Sequence, residues 1–237
     1  MVTGTAAGLA AKGATSTIPI VMTTASDPVA VGVISSLSQP GGNVTGFSSL
    51  NVELNTKRLE VKVLKDAVPK LARVGLLRRP EVNIAEDLQL KGLRAAALTL
   101  KLKLEEMETQ LDSGGLESAF QTSKRKKVSA IMTTSNRSFF AQRKRIVELA
   151  TKHRLPAIYF QKEFVDDGGL MSYGADYIDL YRRTAHYVDK ILKGAKPADL
   201  PVQQPTKFEF VVNLKAEKQI GLTLSPEFLS RANQVIK

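Results

Sequence analysis

The side chains with the chemical means to hold a small molecule stand directly after short apolar runs. Thr23-Thr24-Ala25-Ser26-Asp27-Pro28 follows the run 18–22, and Thr134-Ser135-Asn136-Arg137 follows 128–133. Gln161-Lys162-Glu163 follows 156–159, and Ser172-Tyr173-Gly174 closes the run that begins at 169. These segments offer hydroxyls, amides and the carboxylates of Asp27 and Glu163, with no nucleophile beside a base. The two histidines, His153 and His186, fall inside helical patterns, and the chain has no cysteine. A thiolate zinc site, a cysteine nucleophile and a disulfide framework are therefore excluded. Asp166 and Asp167 are adjacent acids with no histidine or third acid nearby to complete a metal site. Gly4-Thr5-Ala6-Ala7-Gly8 lacks the Gly-Lys-Ser/Thr ending of a phosphate loop and the spacing of a dinucleotide fingerprint. It is still a Gly/Thr-rich helix start, whose free amides could hold an anion such as a carboxylate. This chemistry reads as binding, not catalysis, with no cofactor.

The elements that must position these residues follow from hydrophobic spacing. Apolar runs predict strands at 18–22, 73–77, 128–133, 156–159, 169–173 and 208–212. Residues 101–106 alternate Lys and Leu, which predicts a strand with one wet face. Helical spacing predicts helices over 56–68 (ended by Pro69), 85–100, 116–122, 139–153, 176–192 and 215–220. In the helix over 176–192, Asp176 is the expected cap, Gly194 the stop, and Ile178, Ala185, Val188 and Leu192 the buried face. Strands separated by helices of this length imply βαβ units and a parallel sheet, so the fold class is α/β. Ligands in such sheets bind beyond the carboxyl ends of the strands, where the polar segments fall.

The 237 residues suit two lobes of modest size. The net charge of +11 permits contact with nucleic acid. The basic runs Lys124-Arg125-Lys126-Lys127 and Arg143-Lys144-Arg145 lack interleaved aromatics or a helix-turn-helix, so they read as solvated surface and no nucleic-acid partner is expected. No stretch approaches the ~20 apolar residues of a membrane span. The opening residues carry no export signal.

Several ordered blocks resemble a known family. They include Ser16-Thr17-Ile18-Pro19-Ile20-Val21 with Ser26-Asp27-Pro28-Val29, and Gln39-Pro40-Gly41-Gly42-Asn43-Val44-Thr45-Gly46. Leu155-Pro156-Ala157-Ile158-Tyr159, Glu163-Phe164-Val165 and Gly168-Gly169-Leu170-Met171-Ser172-Tyr173-Gly174 continue the match. Ile191-Leu192-Lys193-Gly194-Ala195-Lys196-Pro197 and Gln204-Pro205-Thr206-Lys207-Phe208-Glu209 complete it. Together they resemble ABC-transporter substrate-binding proteins of the tryptophan/tyrosine-uptake type.

The resemblance implies a type I periplasmic-binding fold, with two α/β lobes, three crossovers and a ligand in the cleft. Residues 1–45 with 175–201 would form a partial amino-terminal lobe, and 49–168 the carboxy-terminal lobe. Residues 202–237 would form the final crossover and a tail returning to the latter. Family members open with an export signal and βα units that are not in this sequence, so the chain is expected to be amino-terminally truncated, with an open sheet edge. The implied partners are a small-molecule ligand and an inner-membrane ABC permease, the location is the periplasm, and the complete protein would be a monomer. Thr5, Thr24, Ala25 and Ser26 would hold a ligand carboxylate, Asp27 follows them in the ligand-binding set, and Glu163 would take the ligand ammonium. Asn136 and Tyr173 would complete the ligand-binding set. Arg78-Arg79 and the segment around Arg137 depart from the family pattern, and they are expected to add positive charge near the ligand. The alternative is the ligand-sensing domain of a regulator with the same fold.

Overall fold

In the computed structural model, residues 1–59, 61–68 and 70–237 are described, without the side chains of Val61 and Lys62. The helix stop expected at Pro69 lies outside them. The chain runs α1 (Thr5–Ala14), β1 (Ile20–Ala25), β2 (Val44–Ser48), α2 (Asn51–Leu59), a π-helical segment (Val61–Lys65), β3 (Arg73–Arg78), α3 (Ile84–Thr99) and β4 (Lys103–Glu108). It continues with α4 (Ser113–Arg125), β5 (Ala130–Thr133), α5 (Arg137–Ala141), α6 (Arg143–Lys152), β6 (Ala157–Tyr159), α7 (Glu163–Asp166) and β7 (Met171–Ala175). It ends with α8 (Tyr177–Leu192), a 3-10 turn (Pro197–Asp199), β8 (Phe208–Asn213), α9 (Leu214–Ile220), α10 (Pro226–Ser230) and β9 (Gln234–Ile236). The α/β class expected from the spacing is the class found.

The chain divides into two compact units, Met1–Val52 with Ala175–Phe208, and Glu53–Gly174 with Glu209–Lys237. The passages between them fall within α2, near the end of β7 and at the start of β8.

Unit 1 is built on β1 and β2, which pair in parallel with Ile20 opposite Val44 and Met22 opposite Gly46. Every residue of β1 is buried, as a strand covered on both faces requires. Val2 bridges Met22 in parallel. α1 packs on β1, and α8 packs on β1 and β2. Asp176 caps α8 by accepting from the Asp179 amide at 2.9 Å. Past the last turn Gly194 takes φ 100°, a backbone state that favours glycine.

The buried face of α8 differs from the expected one. It is Leu180, Thr184 and Tyr187, with the Tyr187 hydroxyl donating to the Pro201 carbonyl at 2.7 Å. Ile178 stays 53% and Leu192 82% exposed, and Tyr181 is exposed beside them. Hydrophobic spacing identified an apolar stripe, but the helix turns its mixed face inward. There Thr184 satisfies its own hydroxyl on the Leu180 carbonyl at 2.8 Å.

Unit 2 contains a sheet in the order β4-β3-β5-β6-β7-β8-β9. Each pair of described register in it is parallel. One core cluster joins α3, β3, β5 and β8 through Leu93, Leu76, Met132 and Val212, and another centres on Phe120, Phe139, Phe164 and Ile146. α3 opens on a capping box, Asn83 with Glu86. The helix expected over 139–153 is two, α5 and α6. The Gln142 amide is shared between the Ser138 and Phe139 carbonyls, which tightens the turn and separates them.

β4 is an edge strand, and its acids are covered by bases. Glu105 meets Lys103 at 2.9 Å, Lys126 at 3.2 Å and Arg73 at 3.3 Å, while Glu106 meets Arg94 at 2.6 Å and Arg78 at 3.1 Å. Such charges blunt an edge against further pairing. Lys103 foremost, then Lys126, holds the Glu105 carboxyl below its ordinary range, and Arg94 foremost does the same for Glu106. A carboxyl lowered in the folded state stabilises above its unfolded pKa of ~4.3 and loses that contribution as the pH falls through the folded value. The Tm is expected to drop as the pH falls below ~4.3, and less so in Glu105→Gln and Glu106→Gln. Parallel slopes in the variants, read by circular dichroism, would remove these pairs from the acid response.

Candidate functional site

In unit 1 three segments meet at the carboxyl end of β1: the start of α1, the end of β1 itself and residues 49–51. The Ser26 amide donates to Thr5 Oγ1 at 3.0 Å, and the Thr5 hydroxyl returns a longer bond to the Ser26 carbonyl at 3.4 Å. Asn51, the first residue of α2, donates from Nδ2 to Ser26 Oγ at 3.1 Å. The Ser49 amide donates to the Ala25 carbonyl at 2.9 Å. Thr5 opens α1, whose cap Gly4 has no side chain to satisfy the first amides. The cluster therefore combines free helix amides with the hydroxyls of Thr5, Ser26 and Ser49 and the amide of Asn51. Ser26, Ser49 and Asn51 are buried.

Gly4 (φ 84°), Asp27 (φ 29°) and Leu50 (φ 52°) bracket this cluster in left-handed backbone. Gly4 takes this backbone freely, whereas at Asp27 and Leu50 it is strain of about 1–3 kcal/mol each, of the kind that collects at functional sites.

Of the residues named from sequence, Thr5, Ala25 and Ser26 lie within this cluster. Thr24 is buried just before them on β1. Asp27 turns Oδ1 to the Ala30 amide at 3.0 Å and so closes the turn that follows. Sequence reasoning missed Ser49 and Asn51. The available signal was a polar Ser48-Ser49-Leu50-Asn51 segment after a strand, but the strand itself went unseen.

Unit 2 carries a buried polar network at the carboxyl ends of β5 and β7. Arg58 from α2 is 1% exposed. It donates from Nε to the Tyr173 carbonyl at 2.5 Å, and from Nη1 to Ser135 Oγ at 3.0 Å and to Asn55 Oδ1. Gln89 from α3 accepts from the Ser135 amide at 2.8 Å and donates to its carbonyl at 3.2 Å. Asn55 donates to the same Gln89 oxygen. Thr134 Oγ1, adjacent in the chain, is buried without a hydrogen-bond partner.

Asn136 follows Ser135 and has both ends of its side chain engaged. Nδ2 donates to Glu86, and Oδ1 accepts from the Ser138 amide at 2.6 Å to cap α5. Tyr173 contributes its carbonyl to the network, while its ring stands edge-on to Phe210 at 6.3 Å. Glu163 opens α7, half-buried, with no described hydrogen bond to this network.

The charge expected from Arg78 and Arg79 is balanced within unit 2. Arg79 meets the buried Glu86 at 2.8 Å, and Arg78 meets Glu108 at 2.7 Å as well as Glu106. The hydrogen bond to Glu86 raises the Arg79 pKa further. These two arginines replace neutral side chains in the expected pattern, but they bring no unbalanced charge. The basic runs are likewise tied in part to acids, Lys126 to Glu105, Arg143 to Asp167 and Arg145 to Glu117. Among the described residues, no helix is long and apolar enough to cross a membrane.

Known proteins share this architecture. A Vibrio cholerae structure described as a conserved domain protein superposes with a TM-score of 0.87 at 30% identity, covering 98% of this chain and 76% of that one. An ABC domain from Streptococcus pneumonia in complex with L-Trp gives 0.86 at 27% identity, covering 99% of this chain and 77% of that one. A tyrosine-binding protein of Clostridioides difficile is 28% identical over 215 residues, 90% of this chain. The chain spans 60% of the length of that curated relative. These neighbours bear out the type I periplasmic-binding fold that the resemblance implied. The match to the ABC transporter substrate binding protein family runs over residues 1–236, and the chain belongs to that family.

Proposed function

We propose that the chain captures an α-amino acid with an aromatic side chain, as the solute-binding component of an ABC importer working with an inner-membrane permease in the periplasm. The observation that carries the reading is the unit 1 cluster, where the hydroxyls of Thr5, Ser26 and Ser49 gather beside the free amides of α1, with Asn51 donating to Ser26 Oγ and so leaving the Ser26 O–H to donate. Such donors suit a carboxylate, because each bond to an ionised group is shorter and stronger than a neutral one. The family membership and the L-Trp and tyrosine relatives support the solute class. The division into two units corresponds, in this proposal, to the two lobes of the family fold. Thr24, Ala25 and Asp27 shape the carboxylate end, and Asn136 and Tyr173 hold the unit 2 framework in place.

Glu163 is the proposed acceptor for the ligand ammonium. It is the one acid in the polar segments that follow the predicted strands whose carboxylate has no hydrogen-bonded partner among the described residues. Titration calorimetry with L-tryptophan and L-tyrosine tests the proposal, and saturable binding of at least one is expected, with L-glutamate binding weakly. Absence of binding to both L-tryptophan and L-tyrosine would overturn it. Glu163→Gln is expected to weaken L-tryptophan binding by about 1.5–3 kcal/mol, the range of a hydrogen bond to a charged group. Indole-3-propionate, the same skeleton without the amine, should lose far less. Equal losses for both would remove Glu163 from that role.

A further inference from the structure

Two polar atoms in the unit 1 cluster are buried without a hydrogen-bond partner, Ser49 Oγ and Asn51 Oδ1. Ser49 is 0% and Asn51 7% exposed. Native structures leave few buried polar groups in this state, and each such group calls for an explanation. The two residues flank Leu50, a bulky side chain held at φ 52°. Orphaned polar atoms and backbone strain therefore fall on three consecutive residues.

Asn51 is also oriented. Its Nδ2 donates to Ser26 Oγ at 3.1 Å, so Oδ1 cannot turn to another partner without giving up that bond. Several other orphaned hydroxyls, on Thr133, Tyr159 and Ser172, lie within β5, β6 and β7. Ser49 and Asn51 instead come just after a strand, at the end of a parallel pair where ligands are bound. A carboxamide oxygen only accepts, so the missing partner must bring an N–H or O–H.

We infer that Asn51 is a specificity-determining contact, whose Oδ1 accepts an N–H from the α-ammonium of the bound amino acid, with Ser49 Oγ as the adjacent polar wall. This rests on the amino-acid reading above. An ammonium has three donors and no acceptor, so one bond to Asn51 leaves two for other groups. The same atom offers nothing to a ligand that has lost its amine. Asn51 thereby separates amino acids from the corresponding deaminated acids, which share the carboxylate and the ring.

The test is calorimetric titration of the full chain with L-tryptophan and with indole-3-propionate, on the wild type, Asn51→Leu and Asn51→Asp. Asn51→Leu is expected to lower L-tryptophan affinity about 10- to 100-fold, the equivalent of one hydrogen bond to a charged group, while indole-3-propionate changes less than about threefold. Asn51→Asp keeps the size and the acceptor and adds charge. It is expected to hold or raise L-tryptophan affinity and to lower that of indole-3-propionate. If Asn51→Leu does not fold by thermal melting, the Asn51→Asp ratio decides alone, and an unchanged ratio of the two affinities overturns the inference. Equal losses for both ligands in Asn51→Leu, or no loss, overturn it as well, and point to a bound water as the partner of Oδ1. Failure of the wild type to bind L-tryptophan or L-tyrosine sinks the amino-acid reading and the inference together. A binding wild type with indifferent Asn51 variants sinks the inference alone.

Discussion

Gly46→Ala is expected to unfold unit 1. Gly46 lies in β2 opposite Met22 of β1, at φ 126°. A Cβ at this position would stand 2.1 Å from the Met22 carbonyl oxygen and 2.6 Å from its nitrogen. Both atoms are backbone, so no side chain can swing aside, and relief requires the two strands to part. Their pairing holds the carboxyl end of β1, and with it Ser26 and Ala25, in register with Ser48. Gly42, four residues earlier, is the control. It also has positive φ, 71°, but nothing lies within 4 Å of its added Cβ. Gly42→Ala therefore meets only the left-handed backbone term, about 1–2 kcal/mol. Gly46→Ala adds the clash, and a loss beyond about 4 kcal/mol is expected. Urea denaturation followed by circular dichroism should show a lost or much earlier first transition for Gly46→Ala and a modest shift for Gly42→Ala. Equal shifts would mean that the strands yield at little cost.

The same glycine shows where the sequence stopped being legible. β3, α3, β6, α8 and β8 were readable because each repeats an apolar period over several residues, or ends on a cap such as Asp176 or a stop such as Gly194. β2 was not. Val44-Thr45-Gly46-Phe47-Ser48 has the right composition for a strand, but a central glycine ordinarily marks a break. Here it marks the close approach of two backbones, which only the partner strand reveals. The site divides in the same way. Thr5 and Ser26 could be named because they follow helix-start and strand-end signals. Asn51 and Ser49 could not, since their importance lies in what they leave unpaired. Nor could the face of α8 be read, because Thr184 becomes an inward residue only by bonding its own helix, a choice that hydropathy cannot register. Arg78 and Arg79 looked like added charge for lack of any sequence link to Glu106, Glu108 and Glu86.

Arg58→Met is expected to destabilise unit 2 by about 3–5 kcal/mol, because it strands several buried neutral acceptors at about 1–3 kcal/mol each. The arithmetic follows from the acceptors. Arg58 serves Asn55 on its own helix, Ser135 after β5 and the Tyr173 carbonyl on β7. Methionine fills much of the same volume, so the loss measures unmet polar groups more than a cavity. Arg58→Lys should recover little, because one ammonium on a flexible stem cannot reproduce a planar fork aimed at acceptors on separate elements. The network also predicts non-additivity. Ser135→Ala alone removes one acceptor of the guanidinium and one donor to Asn55 Oδ1, which lies 3.2 Å away. Combined with Arg58→Met it should cost less than the two single losses together, because the groups each would strand are already gone. Chemical denaturation of the four proteins in the cycle checks this. Additive losses would show that Arg58 acts through its packing alone. A coupling of about 1 kcal/mol or more would show instead that the guanidinium joins the carboxyl ends of β5 and β7 as one rigid surface. That is the property a binding protein needs where Asn136 follows one strand and the chain leaves the unit after the other, since a ligand contact is only as selective as its support is fixed.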